Sequence, residues 1–135
     1  MSPAILHPTL ETALAIHAEI LAAQGGSPGL QSRALLESAL AAPLALQSGP
    51  SSNQDPVEIA AAYLFYLGRN DAFVEGGQRF ALAVCLVFLS ENGFLKTEEL
   101  DANAWENLTR EAASGILRRE EVTQKMRELL AWATG

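Results

Sequence analysis

The segment Asn70-Asp71-Ala72-Phe73-Val74-Glu75-Gly76-Gly77-Gln78-Arg79 concentrates the residue types in this chain that could do chemistry. Adjacent glycines at a helix start let backbone N–H groups converge on an anion, and the helix dipole favours negative charge there. Arg79 adds a planar, forked cationic donor whose geometry suits phosphate oxygens. The same glycine pair also suits a plain tight turn, so both readings stand at this point. Other reactive groups are few. Cys85 is the only cysteine, which excludes an intramolecular disulfide and nearly excludes a Cys/His zinc site. It lies in the run Ala81-Leu82-Ala83-Val84-Cys85-Leu86-Val87-Phe88-Leu89 and reads as a small buried thiol. His7 in the N-terminal tail and His17 on a first helix read as structural or solvated groups.

The elements that must position this segment read as helices. Nothing alternates polar and apolar long enough between turn clusters to make a strand. Thr9 caps a first helix with Leu10, Ala13, Leu14, Ile20 and Leu21 on one face and Glu11 in its first turn, and Gly25-Gly26 ends it. Ser32 caps a short second helix carrying Leu35, Leu36, Ala39 and Leu40, expected to stop before Pro43. Residues 43–55 break the composition with Gln47-Ser48-Gly49-Pro50-Ser51-Ser52-Asn53-Gln54 and read as a long exposed loop. Asp55-Pro56-Val57-Glu58 places an N-cap, an N1 proline and an N3 glutamate in one capping-box arrangement, opening a helix that stops at Gly68. After the glycine loop, Gln78 to Asn92 is apolar almost all round and is expected to be the central buried helix. Asp101 caps a helix with Trp105 and Leu108 that ends near Ser114-Gly115. A last helix, about 117–133, turns Val122, Met126, Leu129 and Leu130 inward and Arg118, Arg119, Glu120 and Glu121 outward. The fold class is all-α, a bundle of about six helices around a central buried helix.

Composition bounds the rest. A chain of 135 residues reads as one domain spanning 1–135, large enough to bury a core without a disulfide or metal staple. Nine basic against sixteen acidic side chains give a net charge of −7. Binding to nucleic acid or to an anionic membrane needs clustered Lys and Arg, so both partners are disfavoured. The start of the chain lacks the pattern of a secretory signal, and its longest apolar run falls short of a membrane span, so a cytoplasmic protein is expected.

The glycine segment resembles the signature of the Fic/Doc family, His-x-Phe-x-Asp/Glu-Gly-Asn-x-Arg, which joins two helices around a nucleotide phosphate site. Further blocks carry the resemblance along the chain and toward the Doc, or death-on-curing, toxin branch. These are Gly25-Gly26-Ser27-Pro28-Gly29-Leu30, Leu35-Leu36-Glu37-Ser38-Ala39-Leu40-Ala41-Ala42-Pro43, Glu58-Ile59-Ala60-Ala61-Ala62-Tyr63, Phe88-Leu89-Ser90-Glu91-Asn92-Gly93-Phe94 and Ala112-Ala113-Ser114-Gly115. The resemblance implies an ATP-using protein phospho- or adenylyltransferase with Mg²⁺. It places the metal-holding acid at Glu75, the loop glycine at Gly76 and the phosphate-binding arginine at Arg79. The family's general-base histidine falls on Asp71, its asparagine on Gly77, and the next position, often Lys in Doc kinases and Gly in Fic adenylyltransferases, on Gln78.

An aspartate is a weaker base than histidine by about 2.6 pKa units, and a general base typically contributes ~10²–10⁴-fold. The expectation is therefore a Doc-like toxin-module protein with impaired catalysis that acts by binding. The alternative is a Mg²⁺-dependent nucleotide transferase of altered chemistry acting on a protein hydroxyl. In it Asp71 and Glu75 hold the metal while Gly76, Gly77, Gln78 and Arg79 hold ATP phosphates. A further alternative is a scaffold or antitoxin-binding remnant with no ligand at all. The resemblance also implies a Phd-type antitoxin helix, or another protein helix, as a partner. Leu44 and Leu46 are candidates either for that groove or for the core. No stretch near Arg79 has the Ser/Thr-x-x-x-Glu-Gly/Asn pattern of the inhibitory helix found in some Fic proteins, so regulation is expected from another chain.

Overall fold

A computed structural model describes residues 5–25, 29, 32–48, 55–69, 77–95 and 100–134. Six helices follow one another: α1 Leu10–Gln24, α2 Arg33–Ser48, α3 Pro56–Gly68, α4 Gly77–Glu91, α5 Ala102–Ser114 and α6 Arg119–Thr134. There is no strand among the described residues. The all-α bundle read from the sequence is the fold observed.

Local chemistry sets most helix starts. The Thr9 hydroxyl accepts from the Thr12 N–H at 3.1 Å, Ser32 from Leu35 at 3.1 Å, Asp55 from Val57 at 3.0 Å and Asp101 from Ala104 at 3.1 Å. Each satisfies one of the donors that a helix start leaves without an internal acceptor. At the far end of α4 the Phe94 N–H reaches back to the Leu89 carbonyl at 2.8 Å across Gly93, whose φ of +82° is the left-handed conformation this closure requires.

Two expectations are corrected. The second helix does not stop before Pro43 but runs through it to Ser48, so residues 43–48 are helix where a loop was expected. A mid-helix proline removes the N–H that would bond the Ala39 carbonyl and crowds that carbonyl. Here Leu36, Ala39, Leu40 and Pro43 form one buried stripe at helical spacing, and α2 lays it against α3. Burial of that stripe outweighs the local penalty. The remainder of the expected loop, 49–54, lies outside the described residues. Leu44 is exposed and Leu46 half-buried, so neither joins the core.

The second correction concerns the centre. α4 buries Phe80, Ala81, Val84, Cys85, Phe88 and Leu89, yet Leu82, Leu86 and Val87 are only half-buried. α3 lies deeper: Ile59 through Leu64 are all buried without a break, with Leu67, and the helix packs against α2, α4, α5 and α6. Its three consecutive alanines, Ala60, Ala61 and Ala62, present little bulk to its neighbours, which favours close approach of helices. α3 and α4 together form the inner pair that brackets the signature segment.

Candidate functional site

α3 ends at Gly68 and α4 begins at Gly77, so the signature segment joins the two inner helices, as the sequence indicated. Asp71, Glu75 and Gly76 lie outside the described residues. Gly77, Gln78 and Arg79 form the first turn of α4, with Gly77 half-buried and the other two exposed. No acidic side chain occupies that turn. The N–H groups of a helix's first turn find no acceptor inside the helix, so the positive end of α4 and Arg79 lie together. Arg79 forms no ion pair among the described residues.

Beside this turn lies a cleft of about 430 Å³ bounded by three helices. Ile20 comes from α1. Gln78, Arg79, Leu82, Ala83 and Leu86 come from α4, and Glu106, Thr109 and Arg110 from α5. Arg79, Leu82, Ala83 and Leu86 recur at helical spacing, so α4 offers a cationic end and an apolar floor on one face. The Thr109 hydroxyl is committed to the Trp105 carbonyl at 2.8 Å, and the Arg110 guanidinium donates to the Asn107 side chain. Two arginines against one glutamate make the lining positive in a chain of charge −7. Such a cleft can hold an anionic group at the helix end with apolar substance behind it.

Sequence reasoning named Gln78 and Arg79, which line this cleft, and did not name the α5 wall. The stripe Glu106, Thr109, Arg110 is adjacent to the buried Trp105–Leu108–Ala112 face, and its helical spacing was the only signal available. The other candidates are structural. Cys85 is fully buried, and burial pushes its thiol well above its ordinary range. His17 is buried with Phe80 edge-on to it at 5.9 Å. The His7 Nδ1 lies 2.6 Å from the Tyr63 hydroxyl, 56 residues away, among the rings of Tyr63 and Phe88. Among the described residues no cluster of three His, Cys, Asp or Glu side chains could hold a metal, and no helix is long and apolar enough to cross a membrane.

Comparison with known proteins decides the family. The sequence profile of the Fic/DOC family matches residues 7–89, from His7 through nearly all of α4. This chain belongs to the Fic/Doc family. It is also similar to Toxin Doc of Mycolicibacterium smegmatis, with 35% identity over 90 residues, which cover 67% of this chain and 69% of that protein. The profile match takes in the four helices that carry the signature and its supports. It leaves out α5, which supplies the third wall of the cleft.

Proposed function

We propose that this Fic/Doc-family chain is a toxin-module protein whose signature has lost its general base, and that it acts by binding rather than by group transfer. One observation carries the reading: Asp71 occupies the signature position of the proton-accepting histidine, with Gly77 in place of the asparagine two residues before Arg79. Aspartate is already anionic at neutral pH and holds a proton weakly, so it is a poor acceptor for the proton of a protein hydroxyl. Glycine at 77 supplies a backbone N–H but no side-chain amide to a phosphate. The exposed Arg79 and a first turn of α4 free of acidic side chains remain, so capacity for an anion outlasts capacity for chemistry.

The second reading, altered transferase chemistry, rests on that same retained anion end. Asp71 and Glu75 supply hard oxygen ligands suited to Mg²⁺, and Arg79 with the N–H groups of Gly77 and Gln78 would meet ATP phosphates. Mg²⁺ would neutralise phosphate charge that the two carboxylates otherwise repel. As a family toxin module, the chain would have an antitoxin of the Phd type as its partner.

The two readings separate in one experiment. Purified protein is incubated with labelled ATP and a candidate protein acceptor, with and without Mg²⁺. The binding reading expects no transfer by the native chain, and transfer only in the triple variant Asp71→His, Gly77→Asn, Gln78→Lys. Label transfer by the native chain that disappears in Arg79→Ala overturns it and establishes the second. Purification from the native host should recover a second chain held by salt-sensitive contacts, and a lone monomer counts against the antitoxin.

A further inference from the structure

On the side of the bundle where α3 ends, Arg69 is exposed and its guanidinium lies over the Phe65 ring, 4.9 Å from the centroid. Phe65 meets Tyr66 edge-on at 5.3 Å, and the Tyr66 hydroxyl accepts from Arg119 Nη1 at 3.1 Å. Arg69 also reaches the turn between α5 and α6, where a Cβ added to Gly115 would stand 3.6 Å from the guanidinium. The next residue, Ile116, is 72% exposed, the most exposed large apolar side chain described. Two arginines and two aromatic rings are thus linked by contact, with Ile116 next in sequence to the turn that Arg69 reaches, and three parts of the chain contribute to this surface. Neither Arg69 nor Arg119 forms an ion pair among the described residues, whereas Glu121 is engaged by Arg118 at 3.2 Å.

We propose that this surface docks an acidic protein segment presenting an apolar side chain between carboxylates. A guanidinium held over a ring is already ordered, so little freedom is lost when it grips a carboxylate. Arginine and aromatic side chains dominate the energetics of protein interfaces, and Ile116 offers apolar area beside them. Charge selects the partner class. The chain as a whole repels a polyanion, which disfavours a polynucleotide, while a short segment with few carboxylates can meet Arg69 and Arg119 locally. Arg69 immediately precedes the signature segment in sequence, and the inference is independent of any chemistry there.

The test uses fluorescence anisotropy with a short labelled peptide carrying a single Glu-Leu-Glu flanked by Gly and Ser, its Gln-for-Glu counterpart, and a short single-stranded RNA. The acidic peptide should bind the full chain in a salt-sensitive way, and the Gln counterpart should bind about tenfold more weakly. Arg69→Glu should weaken binding by about tenfold and Ile116→Ser by about threefold. Arg33→Glu makes the same charge change on α2, at an exposed arginine paired with Glu37, and should leave binding nearly unaltered. Ile116→Ser lies at an exposed position and keeps the test decisive if Arg69→Glu fails to fold. Absence of peptide binding, equal loss in Arg33→Glu, or RNA binding as tight as the peptide's each overturns the proposal.

Discussion

Asp55 carries two loads, and they can be pulled apart by substitution. Its carboxylate caps α3 by accepting from the Val57 N–H at 3.0 Å, and it also receives Arg127 of α6 from 72 positions along the chain. Arg127 additionally approaches Glu58 at 3.9 Å. Removing a side-chain N-cap costs about 1 kcal/mol. The ion pair is 41% exposed on the arginine and 32% on the aspartate, so screening reduces its worth to about 0.5 kcal/mol. Asp55→Ala should therefore destabilise the protein by about 1.5 kcal/mol. That corresponds to a Tm lower by about 5 °C and, at an m-value of about 1.5 kcal/mol/M, a urea midpoint lower by about 1 M. Asp55→Asn keeps an oxygen for the cap and loses only the ion pair, so it should cost about 0.5 kcal/mol. Its loss should shrink in high salt, whereas most of the Asp55→Ala loss should persist. Urea denaturation of both variants and of Arg127→Met, at low and high salt, completes the comparison. If Asp55→Asn costs as much as Asp55→Ala, the cap contributes nothing and the partition is wrong. The outcome bears on the site because α3, started at Asp55 and tied there to α6, delivers the chain into the signature segment.

Burial holds the Tyr63 phenol and the Cys85 thiol above their ordinary values of 10.0 and 9.0. The folded protein keeps protons that the unfolded chain releases, so this stability is fully present below about pH 9 and is lost as pH rises beyond it. Urea midpoints should fall from pH 9 to 11, with Cys85→Ala flattening the earlier part and Tyr63→Phe the later; identical slopes in all three proteins would refute the assignment. Asn92 closes α4 onto the N-terminal strap, its side chain accepting from the Leu6 N–H at 2.8 Å and donating to the Leu6 carbonyl at 2.9 Å. Asn92→Ala should cost about 1–2 kcal/mol and speed hydrogen exchange at the Leu6 amide while leaving α6 amides unchanged; uniform acceleration throughout the chain would mean that the strap is not a separate unit.

The sequence alone was enough for the features that depend on a few neighbouring residues. Thr9, Ser32, Asp55 and Asp101 cap their helices because an N-cap bond spans only two or three residues and its donors and acceptors are written side by side. The place of the signature segment between two helices was equally legible, since Asp55-Pro56 opens one helix and Gly77 stands at the start of the next. Tertiary structure decided whatever depended on which faces meet. Pro43 stays helical because its stripe is buried on α3, a gain no local rule can weigh. α4, rich in Phe, Leu and Val, looked the more buried helix, yet α3 holds the centre because its small alanines admit close neighbours on several sides. Arg110 reaches the cleft beside Arg79, and His7 reaches Tyr63, only because packed helices bring distant positions together. Local bonding is encoded in adjacent residues, whereas packing sums burial over the whole chain, and only that sum selects one arrangement of the same helices.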